Sequence, residues 1–268
     1  MTRLAFDRLG AGEPLVLVHG LGSARTTWAP LLPELARRYD VVAVDLPGHG
    51  DSPPLPRTEP ATPHRLARQV AALLDDLGVV RPHLMGNSLG GWVVLELAAD
   101  GRAGSVTALA PAGLWARPSM RRNPVVQTNW RVARAAARVS PALLRSSAVR
   151  RAAFASASAL PGEIPYPVAL DAALAQATAP GFLSALDGTL GIHFDRADAV
   201  PADVPVTIVW GDRDHVLPAP SHQDRALVPG HSRWVVLGHC GHVPQWDAPG
   251  ATLRLLDRTT AEGRAATR

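Results

Sequence analysis

The fold is decided by the stretch Leu84-Met85-Gly86-Asn87-Ser88-Leu89-Gly90-Gly91. An apolar, strand-like run over residues 79–85 leads into it, and a helix-like run over residues 92–99 follows. The junction matches Gly-x-Ser-x-Gly, a pattern typical of a sharp strand-to-helix turn that holds one serine in a strained backbone conformation. The sequence therefore predicts that the Ser88 hydroxyl stands at a helix N-terminus, where backbone N–H groups can stabilise an oxyanion. An ordinary glycine-rich turn remains the alternative, unless the chain also supplies a base and an acid.

Length and composition predict one domain with an insertion. At 268 residues and 47% hydrophobic, the chain can bury one large core. Its single cysteine, Cys240, excludes an intramolecular disulfide and fits a reducing compartment. The N-terminus has no apolar signal region, and no apolar run approaches the roughly 18–20 residues of a membrane span. We therefore expect a soluble, cytoplasmic protein with no membrane partner.

The charged and metal-ligating residues exclude several functional classes. All 27 basic residues are arginine, but the formal net charge is only +4, which is a weak argument for nucleic-acid binding. No helix-turn-helix, zinc or RNA-binding signature accompanies it. The histidines lack the His-Glu-x-x-His spacing of a zinc site, and one cysteine cannot build a thiolate cage. We therefore predict no nucleic-acid partner, no metal and no cofactor.

Two further apolar runs, residues 14–18 and 41–45, are interpreted as buried strands that each lead into a glycine-rich turn. The first turn is His-Gly-Leu-Gly at residues 19–22, and the second is Asp-Leu-Pro-Gly-His-Gly-Asp-Ser at residues 45–52. Helical spacing of the apolar residues predicts helices at residues 28–38, 63–77 and 248–258, with a frayed tail after the last.

The order and spacing of these two turns and the Ser88 turn resemble the α/β-hydrolase superfamily. The resemblance implies an α/β-hydrolase fold, with a mostly parallel sheet, helices on both faces and an inserted helical cap. It assigns residues 1–113 and 202–268 to the core. Residues 114–201, where the strand–helix alternation lapses, are assigned to the cap.

The same resemblance implies roles for the two early turns. It places the backbone N–H groups of Leu21 and Leu89 in the oxyanion hole. The turn at residues 45–52 is structural in that family, so His49 is given no catalytic role. A catalytic His49 is the alternative.

The acid of a Ser-His-Asp triad is expected at the end of a later strand. The strand-like run at residues 105–110 is followed by Pro-Ala-Gly, without a carboxylate. After the run at residues 205–210, Asp212 and Asp214 compete for the role. The family pattern Gly-x-x-Asp-x-x-x-Pro fits Asp214, and Asp212 is expected to bond loop N–H groups.

Two histidines compete for the role of base after the last strand-like run, residues 233–237. The family segment Gly-His-x-Pro matches residues 241–244, so His242 is predicted as the base and His239 as a turn residue. Cys240 lies between them, but no second base is placed for it, so a cysteine nucleophile is disfavoured.

The predicted cap is basic and contains several aromatic residues. It holds nine arginines between residues 117 and 151, while no Asp or Glu occurs from residue 101 to residue 162. Two interpretations stay open: a solvated basic face, or an arginine that binds a carboxylate or phosphate of the substrate. Trp115 and Trp130 are candidate substrate-binding residues, with core packing as the alternative.

Ser88, Asp214 and His242 occur in the chain order expected of the resembling fold. They predict a serine hydrolase that cleaves a carboxylic ester or thioester of a small, largely apolar substrate through an acyl-enzyme. Family members that are dehalogenases or epoxide hydrolases carry aspartate at the position of Ser88, so those activities are disfavoured.

Two alternatives to ester hydrolysis stay open. The Ser88 turn is similar to the Gly-Asn-Ser-Met-Gly-Gly elbow of the meta-cleavage-product hydrolases, which cleave a carbon–carbon bond. Those enzymes usually place tryptophan after the catalytic histidine, where this chain has Val243. The fold also hosts lyases, cyclases and ligand-binding proteins. In each case the expected partner is a small molecule, and a homodimer is left open.

Overall fold

The computed structural model describes residues 3–56, 58, 60–122 and 124–266. Their strands are β1 (Phe6–Gly10), β2 (Glu13–Val18), β3 (Tyr39–Val44), β4 (His83–Asn87), β5 (Ser105–Leu109), β6 (Val206–Gly211) and β7 (Arg233–Leu237). Their α-helices are α1 (Leu32–Leu35), α2 (Pro63–Asp76), α3 (Leu89–Ala99), α4 (Pro124–Ala136), α5 (Ser140–Leu143), α6 (Ser147–Ala153), α7 (Tyr166–Ala177), α8 (Phe182–Asp187), α9 (Pro244–Asp247) and α10 (Pro249–Ala266).

The strands form one sheet in the order β1-β3-β2-β4-β5-β6-β7. All neighbours pair in parallel except β1, which runs antiparallel to β3. The mostly parallel sheet predicted from the sequence is therefore confirmed. The sequence did not predict β1, because this edge strand is largely exposed and carries no apolar run.

The side chains of β2 alternate between two apolar layers, one on each face of the sheet. Val16 and Val18 pack in the larger layer with residues of α2 and α3, whereas Leu15 and Leu17 pack in the smaller layer with Leu256 of α10. Burying each such side chain contributes about 1.5–3 kcal/mol. Helices therefore cover both faces of the sheet, as the sequence predicts.

The helix predicted over residues 28–38 is wrong in extent. The structure has a 3-10 turn at Arg25–Trp28 and then only the four-residue α1. Pro30 and Pro33 fall in this segment, and a proline lacks the N–H that a helix interior requires. The leucine spacing therefore predicted a longer helix than the backbone can form.

The frayed tail predicted after residue 258 is also wrong for residues 259–266, because α10 continues to Ala266. The last two residues of that predicted tail, 267 and 268, lie outside the described residues. The hydroxyl oxygen of Thr259 on α10 lies 2.7 Å from that of Thr207 on β6, and both residues are fully buried. A Cβ on Gly263 would lie 2.7 Å from a backbone carbonyl oxygen next to β5. Small residues thus let the polar end of α10 pack closely on the sheet.

Residues 114–201, between β5 and β6, hold α4 to α8 and, among their described residues, no strand. The Gly181 N–H donates to Gly48 O at 2.8 Å, which fixes this segment to the turn after β3. The helices predicted here are present, and the division of the chain into a core and a separate cap stays a prediction. No helix in the described part of the chain is both long and apolar enough to cross a bilayer.

Candidate active site

The turn between β4 and α3 holds Ser88 with φ 54° and ψ −117°, a backbone conformation that residues other than glycine rarely adopt. Two glycines make the turn possible. A Cβ on Gly86 would lie 2.2 Å from Gly90 O, and a Cβ on Gly90 would lie 2.1 Å from Val18 O. The Ser88 N–H donates to Leu109 O at 2.9 Å, so neighbouring strand β5 helps to hold the strained residue.

His242 and Asp214 are hydrogen bonded to each other, with Nδ1 of the histidine 2.8 Å from Oδ2 of the aspartate. The other carboxylate oxygen of Asp214 accepts from the N–H groups of Val216 at 2.9 Å and Leu217 at 2.8 Å. Both side chains of the pair are buried. Because a carboxylate can only accept, Nδ1 carries a hydrogen, and in the neutral imidazole Nε2 then keeps its lone pair. The ring is therefore held in the tautomer in which Nε2 can take a proton.

Ser88 and His242 line the same cavity, although no hydrogen bond joins the two side chains among the described residues. Their loops are joined by Asn87. Its Nδ2 donates to Leu109 O at 3.1 Å and to His242 O at 3.0 Å, and its Oδ1 accepts from Gln245 Nε2 at 3.3 Å. The turn that carries the serine and the loop that carries the histidine are therefore fixed to each other.

Asn87 and Gln245 were not recognised as site residues from the sequence. Both are buried, and a buried amide is costly unless its polar atoms are paired. The available signal was an amide side chain at the end of an apolar strand. Its partner, 158 residues further along the chain, gives no sign in the local sequence.

The proposed oxyanion donors lie on either side of Ser88. Leu21 and Leu89 both line the cavity, and neither backbone N–H donates to a protein acceptor among the described residues. A Cβ on Gly20 would lie 3.1 Å from the Ser88 Cβ, so the loop after β2 passes directly against the serine. The N–H groups of Leu21 and Leu89 are therefore both available to a ligand in the cavity.

The cavity has a volume of about 1270 Å³ and extends from Ser88 between the helices of residues 114–201. Its walls are largely apolar and include Leu143, Phe154 and Phe182. Ligand pockets usually measure about 300–1,000 Å³. The space is therefore larger than a small substrate requires.

A family model described as alpha/beta hydrolase fold matches residues 13–249. The chain belongs to the α/β-hydrolase family. The match confirms the resemblance and the fold predicted from the sequence.

The relatives of this α/β hydrolase carry names that refer to different activities. The chain is 32% identical over 241 residues to a dihydrolipoyllysine-residue acetyltransferase component of an acetoin cleaving system from Pseudomonas putida, with 88% of this chain and 60% of that protein covered. It is 35% identical over 201 residues to epoxide hydrolase EphH from Mycobacterium tuberculosis, with 71% and 91% covered. An alpha/beta hydrolase fold protein from Burkholderia ambifaria has a solved structure that matches with a TM-score of 0.70 and 30% identity, covering 96% of this chain and 94% of that one.

The acetyltransferase components are longer than this α/β hydrolase. The chain spans 30% of the length of one, from Cupriavidus necator, and 60% of the length of the one from Pseudomonas putida.

The alternative candidates for the triad of this α/β hydrolase, Asp212, His239 and Cys240, make other contacts. Asp212 Oδ1 accepts from the Cys240 N–H at 3.0 Å, so the carboxylate holds the loop that carries His242. His239 Nδ1 lies 2.7 Å from the Arg213 guanidinium, outside the residues that line the cavity. Burial raises the pKa of the Cys240 thiol to about 12, which disfavours the thiolate that a cysteine nucleophile needs.

His49 is also absent from the lining of the cavity in this α/β hydrolase. Its ring lies 5.4 Å from that of His19, and both rings are fully buried. His19 Nε2 accepts from the Leu46 N–H at 2.9 Å. Burial lowers the pKa of His19 to about 4 and that of His49 to about 3. Both imidazoles are therefore neutral near pH 7 and brace the turn after β3.

The two tryptophans considered for substrate binding are placed differently. Trp115 lines the cavity, and its Nε1–H donates to Ile192 O at 2.8 Å. Trp130 is not among the lining residues. Its ring stacks on Phe182, with centroids 5.2 Å apart, so it supports the cavity wall from behind. Among the described residues, no group of three or more His, Cys, Asp or Glu side chains is placed to hold a metal ion.

Proposed function

We propose that this α/β hydrolase is a serine hydrolase that cleaves a carboxylic ester or thioester through an acyl-enzyme. The observation that carries the proposal is the hydrogen bond between Asp214 and His242, beside a cavity that also contains Ser88 in a strained turn. A base whose tautomer is fixed by a buried carboxylate can activate a serine that is otherwise too weakly acidic to attack.

In the proposed mechanism, Ser88 Oγ attacks the carbonyl carbon while His242 Nε2 takes the hydroxyl proton. His242 then returns this proton to the leaving group, and Asp214 stabilises the imidazolium in between. The N–H groups of Leu21 and Leu89 stabilise the oxyanion, each worth on the order of 3 kcal/mol of barrier. In the second half, water attacks the acyl carbon and His242 takes its proton. The bond from the acyl carbon to Ser88 Oγ then breaks, His242 returns the proton to Ser88 Oγ, and the carboxylic acid leaves. The Ser88–His242 hydrogen bond forms as substrate enters, because such contacts are often long in the free enzyme.

The serine favours an acyl substrate over an epoxide, even though one relative is named an epoxide hydrolase. An epoxide opened by Ser88 Oγ would leave an ether, which has no carbonyl carbon for water to attack. An aspartate nucleophile would leave an ester, which water can cleave. Turnover through Ser88 therefore requires a substrate that brings its own carbonyl group.

The experiment is hydrolysis of p-nitrophenyl esters, from acetyl to dodecanoyl, by the wild type and by Ser88→Ala. We expect Ser88→Ala to lose at least about a thousandfold in kcat, as removal of a triad nucleophile does. Ser156→Ala is the matched control, because Ser156 also lines the cavity. Wild-type rates in Ser88→Ala would refute the proposal. Labelling of Ser88 by a fluorophosphonate without turnover of any ester would instead favour a carbon–carbon hydrolase or a lyase.

A further inference from the structure

The titratable side chains that line the cavity are all basic among the described residues. They comprise three arginines and three histidines: Arg117, Arg121, Arg122, His215, His222 and His242. No Asp or Glu of the described residues contributes to the walls. The arginines give the lining a positive charge, and a positive charge in a largely apolar cavity favours an anionic ligand.

The three cavity arginines differ in their partners. Arg122 is already paired, since its guanidinium donates two hydrogen bonds to the carboxylate of Asp187. Neither Arg117 nor Arg121 has a carboxylate within ion-pair distance in the part of the chain that the structure describes. Both residues are exposed, and their donors are available to a ligand in the cavity.

The segment that carries these arginines is anchored to residues 187–192. The Trp115 indole N–H donates to Ile192 O at 2.8 Å, and the Gly191 N–H donates to Ser119 O at 3.0 Å. The Ser119 hydroxyl also accepts from the Arg121 N–H at 3.2 Å and donates to Arg121 O at 2.9 Å. Because the backbone is fixed before a ligand arrives, less entropy is lost when the guanidinium groups are ordered.

The positive charge of the protein is also concentrated in the part of the sequence that carries these arginines. Residues 114–162 hold nine arginines and no acidic residue. The rest of the chain has 18 arginines and 23 acidic residues, so it carries a net negative charge. The cavity is thus lined in part by the positive segment of a chain whose remainder carries a net negative charge, and this segment attracts anions towards it.

We infer that the ester or thioester substrate is an amphiphile whose carboxylate or phosphate group is bound by Arg117 and Arg121. Arginine presents several N–H donors in a planar fork, which matches both anions. The apolar remainder of the 1270 Å³ cavity takes the hydrocarbon part. The inference rests on the proposed function. It assigns anion binding to two of the nine arginines and leaves Arg138 and Arg145, which are exposed outside the cavity, as solvated charges.

The test compares two esters of equal chain length, p-nitrophenyl decanoate and mono-p-nitrophenyl decanedioate, which differ by one terminal carboxylate. The double variant Arg117→Gln/Arg121→Gln should raise KM for the acidic ester by about tenfold to a hundredfold, with little change in kcat. Its KM for the neutral ester should stay within about twofold. The control Arg138→Gln/Arg145→Gln removes the same charge and should leave both esters unchanged.

An equal rise in KM for both esters would overturn the inference, and so would the same effect in the control variant. Circular dichroism verifies that each variant is folded, and single variants replace a double variant that is not. A binding measurement is independent of the proposed catalysis. By calorimetry, Ser88→Ala protein should bind decanoate or decyl phosphate at least about tenfold more tightly than decanol, and lose this preference when Arg117 and Arg121 are also replaced.

Calorimetry also separates the two anions and the two proposals. Preference for decyl phosphate over decanoate assigns a phosphate substrate, and the reverse assigns a carboxylate. If no ester is cleaved but the anions bind as expected, the proposed function fails and the anion site stands. If esters are cleaved but decanol binds as tightly as the anions, the anion site fails and the proposed function stands.

Discussion

Replacing Asn87 with alanine tests how the serine turn and the histidine loop are held together. The side chain donates to two buried main-chain carbonyl oxygens, Leu109 O and His242 O. Leu109 O keeps the Ser88 N–H as a partner, so the change leaves His242 O and the Gln245 Nε2 donor without one. Each buried polar group left unpaired costs about 1–3 kcal/mol, so Asn87→Ala should lower the free energy of unfolding by about 2–6 kcal/mol.

The same change should lower activity in the folded protein. Without its hydrogen bond, the main chain of His242 is less firmly placed, and a shift of about 1 Å in a catalytic group can cost up to about a hundredfold. We expect kcat for p-nitrophenyl butyrate to fall by about tenfold to a hundredfold, while KM changes little. The KM is spared because Asn87 is not needed to bind the hydrocarbon part of the substrate.

The assay pairs urea denaturation with ester kinetics well below the urea midpoint. Asn129→Ala is the matched control, because this asparagine also lines the cavity but is exposed. It should change stability by less than about 0.5 kcal/mol. The reasoning is refuted if Asn87→Ala unfolds at the wild-type urea midpoint with the wild-type kcat, or if both variants lose the same amount.

Three further predictions follow from other parts of the structure. Burial lowers the pKa values of His19 and His49 to about 4 and about 3, so the unfolded chain binds more protons than the folded protein below about pH 6.5. The free energy of unfolding should therefore fall by up to about 1.4 kcal/mol per pH unit for each histidine as the pH drops from about 6.5 towards 4. In urea denaturation at several pH values, His49→Gln should remove about half of this slope. An unchanged slope would contradict the prediction. Gly90→Ala should yield little soluble protein, because its Cβ would lie 2.1 Å from a carbonyl oxygen of β2. The control is Gly78→Ala, at a residue with φ +66° where an added Cβ would meet nothing within 4 Å. It should lower the free energy of unfolding by only about 1 kcal/mol in thermal unfolding. Asp214→Asn should keep the fold but lower kcat for ester hydrolysis by about ten thousandfold, because an amide no longer fixes the tautomer of the histidine. A loss in kcat below tenfold would contradict the role given to Asp214.

The features predicted correctly from the sequence are those with local causes. The turn at Ser88 requires glycine at residues 86 and 90, and both positions lie within one five-residue stretch of the sequence. The buried parallel strands also show as apolar runs, because both of their faces lie against helices. Such patterns identify a strand, a turn and the residue that the turn presents.

The features that were missed depend on contacts between distant parts of the chain. β1 pairs with β3 at an exposed edge, and the end of α10 is stabilised by close packing on β6. Two of the three hydrogen-bond partners of Asn87, His242 and Gln245, lie 155 and 158 residues away in the chain. Likewise, Trp130 and Trp115 look alike in the sequence, and only the folded arrangement puts one in the cavity wall and the other behind it.

In the proposed mechanism Ser88 carries the acyl group during turnover, and mass spectrometry of the acid-quenched protein can detect that group. After rapid mixing with p-nitrophenyl butyrate, we expect a butyryl group on the peptide that contains Ser88, at up to about one per chain and absent in Ser88→Ala. A butyryl group found instead on Cys240, or steady turnover by Ser88→Ala at the wild-type rate, would contradict it.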